Sequence, residues 1–96
     1  MRIGLGKYFM TGCVTGIGAA NPIAVFPSSL NLRGGLKLKA DSGNTGVVYI
    51  GASGWITQGL GYPLRPGEFE QFPIDDVSGV FLLANTSSNK VFWFGV

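Results

Sequence analysis

No stretch of this chain shows apolar residues at helical spacing, with caps, for more than about one turn. Sixteen glycines and five prolines are spread over ninety-six residues, so regular structure must come in short pieces joined by turns. A strand is complete in about 5 residues, whereas a helix of that length does not hold itself together. The interruptions therefore point to an all-β chain.

The pieces can be read in order. From Pro22 the pattern turns to β: Ile23–Phe26 is a short apolar run stopped by Pro27. In Gly35–Ala40, Leu36, Leu38 and Ala40 alternate with Lys37 and Lys39, the period-two signature of a half-buried strand. Asp41-Ser42-Gly43-Asn44-Thr45-Gly46 reads as a turn, followed by the β-branched run Val47–Ile50, closed by Gly51. Arg65-Pro66-Gly67-Glu68 fits a type II turn, with proline presetting φ and glycine accepting a positive φ. Phe69–Ile74, Val80–Ala84 and Lys90–Phe94 complete the strands, the last two separated by Asn85-Thr86-Ser87-Ser88-Asn89. Seven or eight short strands with turn signals between them suit a sandwich or a barrel. Residues 1–20 hold five glycines and no sustained period, and read as an extended Gly-rich arm or weak strands ahead of a β-domain over 21–96.

Length and composition restrict function as well as fold. A chain of 10.1 kDa folds to about 5,300 Å² of surface, burying roughly 64% of what it exposes unfolded, enough for one core without staples. Only 12% of residues are charged, about half the usual share, while 46% are hydrophobic. That deficit suggests surface meant to be covered by other subunits. With no histidine, a Ser-His-Asp triad, a Cys-His pair and an imidazole metal site are all excluded. The single cysteine, Cys13, allows neither an internal disulfide nor a zinc cage. No enzyme activity, cofactor or metal is expected, and no apolar run approaches the length of a membrane span. Arg2 and Lys7 ahead of a stretch ending Gly18-Ala19-Ala20 faintly resemble a secretory signal, and Met10-Thr11-Gly12-Cys13 is a poor lipobox; the segment is expected to remain in the working protein.

Charge is sorted by sign. Arg2, Lys7, Arg33, Lys37 and Lys39 stand in the first forty residues without an acid, whereas Asp41, Glu68, Glu70, Asp75 and Asp76 outnumber Arg65 and Lys90 in the rest. Five bases spread over forty positions do not make a nucleic-acid arm, so no nucleic acid is expected as a partner; complementary packing between copies fits better. The last strand, Val91-Phe92-Trp93-Phe94-Gly95-Val96, is apolar on both faces. It is either a central strand covered on both sides or a subunit interface, where aromatic anchors concentrate.

Motifs that carry chemistry are thin. Adjacent Asp75 and Asp76 point to opposite sides of a strand, and before Val77-Ser78-Gly79 they suit a turn. Gly16-Ile17-Gly18-Ala19-Ala20-Asn21 lacks the third glycine and the helix of a dinucleotide fingerprint. Ser53, in Gly51-Ala52-Ser53-Gly54, has no histidine to act as its base, and Asn85-Thr86-Ser87 matches a glycosylation sequon of the kind common by chance. Trp55 and Tyr62 offer either a sugar-stacking platform or plugs for a loop.

Three segments together carry a resemblance. Asn44-Thr45-Gly46-Val47-Val48-Tyr49-Ile50-Gly51 is followed by Gly61-Tyr62-Pro63-Leu64-Arg65-Pro66-Gly67-Glu68, then by Ile74-Asp75-Asp76-Val77-Ser78-Gly79-Val80-Phe81 and a final strand. In order and spacing this resembles a set of small tailed-phage virion proteins, over residues 22–96 and with the arm unmatched. Phe81 stands where that pattern has tyrosine, and the Phe92–Phe94 end is more aromatic. The resemblance implies a β-sandwich accessory protein of a phage particle, for which a jelly-roll-like arrangement is expected. The expected role is a decoration (cement) protein on the outer capsid surface of the virion, made in the cytoplasm of the bacterial host. It would bridge and stabilise major capsid proteins as a homotrimer or other symmetric oligomer. Alternatives are a tail, baseplate or head-fibre component, and a carbohydrate-binding module for host recognition. A hydrolase built on Glu68, Glu70 or Asp76 is the weakest. Candidate capsid or subunit contacts are Arg2, Lys7, Tyr8, Phe9, Arg33, Lys37, Lys39, Trp55, Tyr62, Phe92, Trp93 and Phe94; no membrane is expected as a partner.

Overall fold

A computed structural model of the chain describes residues 10–25, 32, 34–52, 61–74 and 79–95. Among them are eight strands and no α-helix: β1 (Met10–Ile17), β2 (Ile23–Ala24), β3 (Leu36–Ala40), β4 (Val48–Gly51), β5 (Tyr62–Leu64), β6 (Phe69–Phe72), β7 (Phe81–Ala84) and β8 (Asn89–Gly95). They form two four-stranded antiparallel sheets, ordered β1-β8-β3-β6 and β2-β7-β4-β5. Both sheets feed one core. Leu36, Leu38, Ala40, Val91 and Trp93 enter it from the first sheet, and Val48, Ile50, Leu64, Leu82 and Ala84 from the second. The total accessible surface is 5,314 Å², the value expected for a compact chain of this mass.

The alternation read in Leu36–Ala40 is the observed burial pattern, with both lysines outward. The Pro66-Gly67 turn is also as expected: the Glu68 amide donates to the Arg65 carbonyl at 3.0 Å, and Gly67 has φ +83°. The Glu68 carboxylate accepts from the Arg65 amide at 2.7 Å, so this acid closes its own turn.

Of the two readings of 1–20, an extended arm or weak strands, Met10–Ile17 follows the second. Met10–Ile17 is a strand of the first sheet, paired along β8 from Met10↔Gly95 to Ile17↔Asn89; Met1–Phe9 lies outside the described residues. Two glycines hid it from a periodicity reading. Gly12 occupies the inward position opposite Trp93, where a Cβ would run into the indole, so the core side chain at this point belongs to β8. Gly16, at φ +69°, sits in a register shift between Val14 and Ile17, a β-bulge that puts Val14 and Ile17 both in the core despite their odd separation. Within the run Ile23–Phe26, Ile23–Ala24 is a strand and the Val25 amide bonds the Val80 carbonyl at 2.9 Å; Phe26 lies outside the described residues. The segment Tyr62–Leu64, not anticipated as a strand, pairs with β4.

Polar side chains lock the end of the molecule where β1, β8 and the loop into β4 meet. Asn89 is fully buried. Its amide nitrogen donates to the Ile17 carbonyl at 3.3 Å and the Thr86 carbonyl at 2.8 Å, and its oxygen accepts from the Gly46 amide at 3.2 Å. Asn44 imitates a strand residue, accepting from the Lys90 amide and donating to the Lys90 carbonyl, each at 2.8 Å. Asn85 accepts from the Val47 amide at 2.9 Å. The sequon-like Asn85-Thr86-Ser87 thus has a structural use, with Thr86 also bonded to Thr45 through their hydroxyls at 2.9 Å. Ser88 turns the chain into β8 with φ 64°, a left-handed conformation that a side chain resists.

Asn89→Ala leaves the buried Gly46 amide and Ile17 carbonyl without this partner, and is expected to lower unfolding stability by about 2–4 kcal/mol in urea titration. Ser88→Gly is expected to raise it by about 0.5–1 kcal/mol in the same assay, because glycine accepts that φ without strain.

Candidate interaction face

The outer side of the first sheet follows from strand register. Pairing sets Thr11 against Phe94, Phe94 against Lys37, and Lys37 against Gln71, so these four side chains form one row across all four strands. The next row runs Cys13, Phe92, Lys39, Phe69. Adjacent strands stand about 4.8 Å apart, so each row is one continuous line of contact. Phe69, Phe92 and Phe94 remain 58%, 42% and 38% exposed. For phenylalanine this is costly, and covering the remainder is worth roughly 1 kcal/mol for each ring.

The lysines partly shield the rings. Lys37 Nζ stands 4.4 Å from the centre of Phe69, and Lys90 Nζ stands 5.8 Å from that of Phe92. Ammonium groups at such distances are drawn to the negative ring face, by about 0.5–1 kcal/mol where solvent has access. A shallow, open depression of about 530 Å³ lies here, floored by Phe92 and Phe94 and flanked by Cys13, Lys37 and Lys39. None of the residues in the two rows is acidic, so the face carries positive charge and apolar area together. A second hollow, of about 340 Å³, is lined by Ile50, Phe72, Ile74 and Val80 among others, with no ionisable side chain among the described residues that line it.

Of the residues singled out from sequence, Lys37, Lys39, Phe92 and Phe94 converge on this face. Trp93 does not: it is 6% exposed and belongs to the core, because β8 alternates and Val91, Trp93 and Gly95 take its inward positions. The final strand is thus apolar on both sides with only one side buried. Tyr62 lies elsewhere, where the edge strands β5 and β6 meet, with its ring edge-on to Phe72 at 6.0 Å and its hydroxyl donating to Glu70 at 3.4 Å. Arg2, Lys7, Tyr8, Phe9, Arg33 and Trp55 lie outside the described residues, as do Asp75 and Asp76. Phe69, Lys90 and Cys13 are additions. Phe69 and Phe72 are three apart on one strand, so only one can face the core, and their sequence does not say which.

The Glu70 charge holds the Tyr62 phenol above its ordinary value of 10.0, with smaller contributions from desolvation, from the hydrogen bond to Glu70 and from the Glu68 charge. Comparison with known protein families, with characterised proteins and with solved structures finds no match.

Tyr62 is expected to ionise above 10.0 in an alkaline absorbance titration taken as a difference against Tyr62→Phe, and Glu70→Gln is expected to bring the transition down. Below pH 10.0 the phenol is neutral in folded and unfolded chains alike, so its contribution to stability is intact there. As pH rises further the unfolded chain loses this proton first, and the contribution disappears through the folded-state transition.

Proposed function

We propose that the chain is a structural protein of a tailed-phage particle, binding the outside of the capsid as a decoration protein that bridges major capsid proteins. The observation that carries this reading is the outer face of the first sheet, where Phe69, Phe92 and Phe94 are exposed among Lys37, Lys39 and Lys90. Aromatic area at the centre of a surface is what anchors protein contacts, and a rim of one charge sign steers the approach of an opposite one. The resemblance of residues 22–96 to small virion proteins supplies the particle.

The strand order supports a finer reading of the fold as a jelly-roll sandwich. Strands pair β1 with β8, β2 with β7, β3 with β6 and β4 with β5. That is the set produced when one long antiparallel ribbon folds over on itself, and the β8–β3 and β7–β4 pairings then join it into two sheets. Such a framework presents one sheet face outward while the other lines the core, without requiring any chemistry of the domain.

Imaging of intact particles tests the proposal: density for this chain is expected over the capsid exterior, and confinement to the tail overturns it. At residue level, Lys37→Glu with Lys39→Glu is expected to weaken binding to emptied capsids at least tenfold while circular dichroism stays unchanged, since both side chains point away from the core. Retained binding by that variant places the contact elsewhere on the domain.

A further inference from the structure

Among the described residues four strands pair on one side only: β1 and β6 in the first sheet, β2 and β5 in the second. An open edge invites another strand, and proteins ordinarily blunt it by shortness, by proline or by charge. Three of these four edges are blunted in those ways. β2 has two residues; β5 has three, one of them Pro63; β6 has four, includes Glu70 and follows Glu68. β1 is the exception. It runs for eight residues, Met-Thr-Gly-Cys-Val-Thr-Gly-Ile, with no charge and no proline, and Thr11, Cys13 and Thr15 are exposed along it.

We propose that β1 is a self-association edge, on which the β1 of a second copy pairs antiparallel to continue the first sheet through a two-fold axis. An antiparallel strand is self-complementary, since each residue that offers an amide and a carbonyl meets the same pair of groups in its copy. Charge favours a copy as the occupant. The strand at the axis carries no ionised group; Lys37 and Lys39 lie on β3, separated from the axis by β8 and β1, and Lys90 lies on β8, separated from it by β1. The β3 lysines of two copies therefore stand about 24 Å apart and the two Lys90 at least about 14 Å apart, both beyond the screening length of about 8 Å at physiological salt. Pairing centred on Cys13 brings Thr11 opposite Thr15 of the second copy, a combination that adds cross-strand hydroxyl bonding. The bulge at Gly16 limits the paired length and stops the sheet from growing past this end. This association goes beyond the shell-binding role above and uses different residues.

Sedimentation of the full chain over a concentration series tests the proposal, read alongside hydrogen exchange of the same samples. A concentration-dependent dimer is expected, with amides of 10–17 slowing as it forms, and Thr11→Lys with Thr15→Lys is expected to reduce association at least tenfold. Phe69→Ser, which alters the face at β6, the opposite edge of the sheet, is expected to leave it unchanged. A monomer at every concentration, association without added protection of 10–17, or loss of association in Phe69→Ser but not in the double-lysine variant overturns the proposal. The exchange measurement uses the unaltered chain, so it decides the matter even if the lysine variant fails to fold. Dimerisation with no capsid binding would sink the shell-binding role and leave this edge standing.

Discussion

The fully buried side chain of Asn89 is the contact on which the rest of the arrangement depends. A buried amide left unbonded costs on the order of 1–3 kcal/mol for each group, so its position is held closely. Through it, the first residue of β8 grips the end of β1 and the loop that leads into β4. Those elements belong to different sheets, so one side chain relates the two layers at this end. Asn44 repeats the device by bonding both backbone groups of Lys90, and Asn85 by holding the amide of Val47. With the start of β8 fixed, its alternation is fixed, and every later residue of the strand has its side assigned.

That assignment makes the aromatic face. Once Asn89, Val91, Trp93 and Gly95 point inward, Phe92 and Phe94 have nowhere to go but out. β3 enters alongside with Lys37 and Lys39 facing the same way, because Leu36, Leu38 and Ala40 are claimed by the core. The resulting mixture explains how a chain with 12% charged residues keeps such a surface in water. Lysine stems and ammonium groups lie near the rings of Phe69 and Phe92, masking them while leaving them available to a partner.

What the sequence made legible follows from how local each signal was. The alternation of Leu36–Ala40, the β-branched run before Gly51 and the Pro66-Gly67 turn each depend on neighbouring residues alone, and each is found where expected. β1 reads from sequence as either an arm or a weak strand because its pattern is completed by another strand: Gly12 yields its inward space to the Trp93 indole, and the bulge at Gly16 changes the period. β5 is too short to show a period and contains a proline, which signals a turn when read alone. For the interaction face, two lysines and two phenylalanines were visible as candidates. Assigning Trp93 to the core requires knowing which parity of β8 faces inward, and that is set by Asn89, a polar residue whose sequence neighbours signal a turn.

The face and the edge of the first sheet are suited to different partners. If two copies stacked through their outer faces, Lys37, Lys39 and Lys90 of each would meet the same residues of the other. Two ammonium groups 8 Å apart near a protein surface repel by about 2 kcal/mol, and each copy would bring three. Two of the described carboxylates are already engaged, Glu68 with the backbone of its turn and Glu70 with the Tyr62 hydroxyl. An acidic or neutral surface of another protein meets no such opposition and gains from covering the three rings. The uncharged β1 edge has the reverse character, neutral where copies would meet and bordered by threonines. A sheet that uses its edge for itself and its face for something else can do both at once, because the two contacts leave at right angles.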